Sequence, residues 1–62
     1  MYVLYLQFTT GNEGYYQYEE NGHVYYGSYR DAAEFPSAQA AIAKARRLKG
    51  AGYHIAYYEA VR

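Results

Sequence analysis

Asn21-Gly22 constrains this chain more than any other pair of its residues. A two-residue type I′ turn needs positive φ at both central positions, and Asn-Gly tolerates that best, so the segments on either side must fold back on each other as a hairpin. An uninterrupted ladder from that turn sets Glu20 against His23, Tyr18 against Tyr25 and Tyr16 against Gly27, with Glu19, Gln17 and Tyr15 against Val24, Tyr26 and Ser28. Residues facing each other across an antiparallel pair project to the same side. The hairpin of residues 15–20 and 23–29 is therefore expected to have one aromatic face, and a second face bearing Gln17, Glu19 and Ser28.

The remaining elements follow from periodicity. Residues 1–9 read as a strand with Tyr2, Leu4, Leu6 and Phe8 on one side and Val3 and Tyr5 making the other side partly apolar, the pattern of a central strand. In the loop at 10–14, Asn12-Glu13-Gly14 suits a three-residue turn closed by a left-handed glycine, which would continue the aromatic face of the hairpin onto Leu4, Leu6 and Phe8. Ser37 suits an N-cap, with Phe35 packing back on the first turns, and Ala38, Ala41, Ile42, Ala45 and Leu48 form one stripe of a helix over 38–49. Gly50 suits the left-handed position after it. Residues 53–61 read as a last strand in which Tyr53, Ile55, Tyr57 and Val61 alternate with His54, Ala56, Tyr58 and Ala60.

The expected architecture is α+β, a two-layer βββαβ domain with a four-stranded mixed sheet in the order 3-2-1-4 and one helix on one face. A single helical crossover would make the last strand parallel to the third and the first. The helix is mostly alanine on its buried side, so inward tyrosines must supply the bulk it lacks. On the side left open, the expected outward residues are Tyr5, Tyr15, Tyr26 and Tyr58, with His54 nearby.

Size sharpens these expectations. A chain of 62 residues forms one domain, 1–62, and with no cysteine it has neither a disulfide nor a thiolate metal site to hold it together. A reducing, cytoplasmic setting is expected, because no basic leader followed by an apolar run opens the chain and no apolar run is long enough to span a bilayer. Net charge is zero but unevenly placed. Residues 1–36 hold five acids (Glu13, Glu19, Glu20, Asp31, Glu34) against Arg30, whereas 37–62 hold Lys44, Arg46, Arg47, Lys49 and Arg62 against Glu59. Four of those bases lie on the helix, and those of its last turns complement the negative end of its dipole.

Catalytic chemistry has little to draw on. The hydroxyl nucleophiles are Ser28, Ser37, Thr9 and Thr10, and the only bases of intermediate pKa are His23 and His54. Those histidines fall on opposite edge strands, about 14 Å apart at three strand spacings, too far for a shared metal. Glu19 and Glu20 are adjacent on a strand and point to opposite faces, so they cannot act on one substrate atom. Gly50-Ala51-Gly52 follows a helix instead of preceding one, the reverse of a phosphate loop. The sequence implies no enzyme, no cofactor, no metal and no small-molecule substrate.

Two binding readings remain. Exposed sheet aromatics stack single-stranded bases, and Lys44, Arg46, Arg47 and Lys49 offer a basic surface, but the two would lie on different sides of the sheet. His23-Val24-Tyr25-Tyr26-Gly27-Ser28-Tyr29 also lacks the basic lead and phenylalanine spacing of the RNP1 pattern. Protein binding places fewer demands on charge, and tyrosine is enriched where interfaces are strongest. A homodimer packed sheet to sheet would additionally relieve the shortage of buried area.

In layout, Asp31-Ala32-Ala33-Glu34-Phe35-Pro36-Ser37 leading into an alanine-rich helix that ends Arg46-Arg47-Leu48-Lys49-Gly50-Ala51-Gly52-Tyr53 resembles short phage or mobile-element accessory proteins, which pair a Tyr-rich meander with one helix. That class includes anti-CRISPR proteins and other inhibitors of host machinery. The resemblance implies a noncatalytic protein-binding inhibitor that occupies the surface of a host defence or nucleoprotein complex in the host cytoplasm. The balanced charge departs from the acidic pattern of DNA mimics in that class. The leading expectation is protein binding through the open sheet face, with Tyr5, Tyr15, Tyr26 and Tyr58 as the contact residues, or through the basic helix surface of Lys44, Arg46, Arg47 and Lys49. The alternative is a single-stranded nucleic-acid-binding protein that uses the sheet tyrosines and that helix.

Overall fold

The computed structural model describes residues 1–62. Its elements are β1 (Val3–Phe8), β2 (Glu13–Glu20), β3 (His23–Gly27), a 3-10 turn η1 (Tyr29–Asp31), α1 (Ala38–Gly50) and β4 (Ile55–Val61). One four-stranded sheet has the order β3-β2-β1-β4. The expected order therefore holds, with β1 central.

The direction of β4 differs from expectation: it pairs antiparallel with β1, so the sheet is antiparallel throughout and not mixed. The cause lies between β3 and α1. After η1 the chain runs back in extended form, Ala33 donates its N–H to the Tyr16 carbonyl, and Phe35 exchanges both backbone bonds with Tyr2. The helix thus begins beside the start of β1, not at the end where β3 finishes. This extra reversal flips the crossover, so α1 climbs toward the end of β1 and β4 must descend alongside it.

Turn chemistry places the glycines where positive φ is required. Asn21 (φ 52) and Gly22 (φ 79) form the two-residue turn. The first loop does close on a left-handed glycine, but on Gly11 (φ 99) instead of Gly14, with Gly11 N–H bonded to the Phe8 carbonyl and Phe8 N–H to that of Asn12. Moving a three-residue loop by three positions changes the pairing sum by an even number, so the faces of β1 and of the start of β2 are preserved.

Ser37 caps the helix as expected, its hydroxyl accepting from Ala40 N–H at 3.1 Å. At the other end Gly50 stays helical and Gly52 takes the left-handed conformation (φ 100). Gly52 N–H reaches the Lys49 carbonyl and Tyr53 N–H the Leu48 carbonyl, the paired bonds of a Schellman motif. The core between α1 and the sheet consists of Leu4, Leu6, Tyr16, Ala41, Ala45, Leu48 and Ile55. Phe8, Phe35, Tyr53 and Tyr58 pack around it. No helix is long and apolar enough to cross a membrane.

Candidate functional site

Two β-bulges decide which tyrosines reach the face away from the helix. From the Asn-Gly turn the ladder runs as expected through Glu20 opposite His23 and Tyr18 opposite Tyr25, then slips, so that Tyr16 opposes Tyr26 and Tyr15 opposes Gly27. The extra residue is Gln17, and its amide lies over Gly27, 3.0 Å from where a Cβ would stand. A bulge swaps the faces on either side of itself. Tyr16 remains in the core, so Tyr26 joins it inside, its ring 4.8 Å from that of Phe8. Tyr18 and Tyr25 turn outward as a stacked pair 4.6 Å apart and 16° from parallel. Glu19 turns inward and meets Lys44 of the helix at 2.5 Å.

The second slip lies between β1 and β4. Leu6 opposes Tyr58 and Gln7 opposes Tyr57, yet Phe8 opposes Ile55, so Ala56 is the extra residue. Ile55 and Tyr58 both face the helix despite their spacing of three, and Tyr57 faces out. Two of the four expected outward tyrosines are thereby corrected: Tyr26 and Tyr58 belong to the helix side. Tyr5 and Tyr15 face away from the helix as expected. His54 is exposed but precedes β4, and its carbonyl accepts from Thr9 N–H.

The helix-free face thus carries Tyr5, Tyr15, Tyr18, Tyr25 and Tyr57, joined by Tyr29 of η1, whose ring meets Tyr15 edge-on at 5.3 Å. Tyr15 lies 5.3 Å from Tyr5, so these three rings form a continuous chain. Beneath it Val3 is buried although it lies outside the core under the helix. Exposure concentrates on Tyr18 (50%), Tyr25 (42%), Tyr29 (49%) and Tyr57 (47%). Sequence alternation alone missed Tyr18, Tyr25 and Tyr57, since each lies one bulge away from the expected register. Gly27 was the available signal: a glycine in a strand interior marks a bulge or a close approach.

The phenol groups on this face are tied to carboxylates. Tyr5 donates to Glu13, and Gln7 donates to both at 3.1 Å. Donation to Glu13 raises the Tyr5 pKa, and the same bond, with that from Gln7, lowers the Glu13 pKa. Tyr57 donates to Glu59 at 3.0 Å, which raises its pKa. Tyr29 donates to the Arg62 carbonyl. Glu20, two residues beyond Tyr18 on β2, lies on this face at the hairpin end.

The bases lie elsewhere. Lys44 is held over the Tyr16 ring and against Glu19, whose carboxylate raises its pKa. Arg46, Arg47 and Lys49 are exposed on the helix, and Arg62 stacks over Tyr2. His23 and His54 lie at opposite edges of the sheet. No group of three or more His, Cys, Asp and Glu residues is arranged to hold a metal, and the surface has no pocket. Comparison with protein-family models, curated proteins and solved structures finds no match.

Proposed function

We propose that this protein is a noncatalytic protein-binding module that engages its partner through the helix-free face of the sheet. The observation that carries this reading is the row of tyrosines in which Tyr18, Tyr25 and Tyr57 on the strands and Tyr29 on η1 are each at least 42% exposed, on the side of the sheet away from the core. Rigid aromatics with a polar tip bind proteins at low entropic cost, because little rotamer freedom is lost. A surface without a pocket suits a macromolecule better than a small substrate. Action by surface occupation, as an inhibitor of a host complex would act, needs nothing beyond such a face.

Nucleic-acid binding is the second reading, favoured only by the stacking capacity of the same rings. Against it, Glu13, Glu20 and Glu59 share their face, while Arg46, Arg47 and Lys49 lie on the helix behind. A photo-crosslinking residue in place of Tyr25 or Tyr57, expressed in the source cells, is expected to capture a protein, whereas the same residue in place of Gln39 on the helix captures none. Adducts to nucleic acid, or equal capture from both sides, overturn the proposal.

A further inference from the structure

The character of the face specifies the character of its partner. Its three carboxylates are spread along it: Glu20 at the hairpin end, Glu13 and Glu59 toward the other. Between them lie the ring faces and edges of Tyr18, Tyr25, Tyr15 and Tyr5, and the strands contribute no lysine or arginine to this surface. In the flanking turn Arg30 is followed directly by Asp31, and Arg62, which follows β4, has its guanidinium over the Tyr2 ring. Carboxylates and tyrosine rings share one preferred ligand, a guanidinium or ammonium group, the first by charge-assisted hydrogen bonding and the second by cation–π attraction. We infer that the helix-free face binds an extended, arginine-bearing segment of a partner protein.

The dimensions fit such a segment. Glu13 and Glu20 are the two ends of β2, and seven strand steps separate them by about 23 Å. An extended chain of seven or eight residues spans that distance, so cations near its two ends meet a carboxylate while its middle lies across the tyrosines.

A second copy fits less well. Face-to-face pairing about a two-fold axis would bring Glu13, Glu20 and Glu59 against a face carrying the same acids, and like charges across an interface are repelled. A standard interface also takes about 800 Å² from each partner, roughly a fifth of this protein's entire 4127 Å². A narrow peptide needs far less.

This inference rests on the proposed protein-binding role, and its test is separable from the crosslinking experiment. The full chain, labelled with 15N, is titrated with an octapeptide of alternating Arg and Ser, with its Glu-Ser counterpart, and with an eight-nucleotide oligothymidylate. Arg-Ser is expected to shift amides of β2, β3 and β4 and to leave α1 unmoved, with about twofold to fivefold weaker binding for the Lys-Ser peptide. The E13Q/E59Q and Y18S/Y25S variants are each expected to weaken it severalfold. Y57S serves as a lighter substitution should Y18S/Y25S fail to fold.

No shift with Arg-Ser, shifts confined to the helix, or equal binding of Glu-Ser overturns the inference, as does tighter binding of the oligonucleotide. Mass that grows with concentration in light scattering, and is abolished by Arg46→Gln with Arg47→Gln, also overturns it by making the helix of a second copy the occupant. Capture of a protein from Tyr25 with no response to Arg-Ser leaves the binding role intact and removes only the basic segment.

Discussion

Gly14→Ala sets two physical effects of opposite sign against each other, and the geometry decides between them. Replacing glycine by alanine removes conformational freedom from the unfolded chain and stabilises by about 0.4–1 kcal/mol wherever the native backbone accepts it. Gly14 does not have positive φ, so that gain applies. A Cβ at Gly14, however, would stand 2.9 Å from Tyr26 Cδ2, 3.1 Å from the Gly27 nitrogen and 3.2 Å from its oxygen. The ring is already packed on Phe8 and the Gly27 backbone is fixed in the sheet, so the strand itself must shift. Overpacking of this kind costs about 1–3 kcal/mol, leaving a net loss of about 1.3 kcal/mol at mid-range and at most about 2.6 kcal/mol. In a domain this small, each kcal/mol is about 4–8 °C in Tm, so thermal unfolding followed by circular dichroism should fall by about 5–15 °C. Gly50→Ala is the matched control: nothing lies within 4 Å of its Cβ and the residue is helical, so the same substitution should raise stability by about 0.4–1 kcal/mol. Equal behaviour of the two variants, or a gain at Gly14, would refute the close approach of β2 and β3 and with it the bulge that aims the outward tyrosines.

Three further outcomes follow from the same structure. Leu48→Ala removes the largest helix side chain in the core, at 1% exposure, and should cost about 2–5 kcal/mol; circular dichroism at 25 °C should show much of the population unfolded. The folded-state pKa of Glu13 is depressed, so the stability it lends is present above its ordinary value of 4.5 and is lost as pH falls through the lower folded pKa; a carboxyl NMR titration should place its midpoint below 4.5, and Tyr5→Phe should move it back up. Lys44 has a raised folded pKa, so its contribution is complete below 10.5 and disappears as pH rises through the higher folded value. Lys44→Met should accordingly cost about 0.2–1 kcal/mol in urea unfolding at pH 7, and the difference from the unsubstituted protein should vanish at the alkaline end of that window.

The local signals in the chain were strong where a single residue type answers a single backbone demand. Asn21-Gly22 set the turn and its first pairs, Ser37 capped the helix, and the two-sided apolarity of Val3, Leu4, Tyr5 and Leu6 placed β1 in the middle. The candidate site was half legible. Tyr5 and Tyr15 precede the first bulge and kept their expected face, whereas Tyr26 and Tyr58 lost theirs to Tyr25 and Tyr57 one residue away. In a run such as Tyr15-Tyr16 or Tyr57-Tyr58 both neighbours are equally good strand residues, so hydrophobic alternation gives no preference for which is inside.

Sequence alone determined the element types, their order and the presence of an aromatic-rich sheet backed by a small-residue helix, because turn, cap and period are demands met within a few neighbouring residues. Tertiary structure decided the direction of β4 and the face of each tyrosine beyond a bulge. Both depend on contacts distant in the chain: Phe35 against Tyr2 sets where the helix starts, while Gln17 over Gly27 and Ile55 against Phe8 absorb one residue each. A single absorbed residue reverses every side chain after it, and only the packed sheet fixes where that residue is placed.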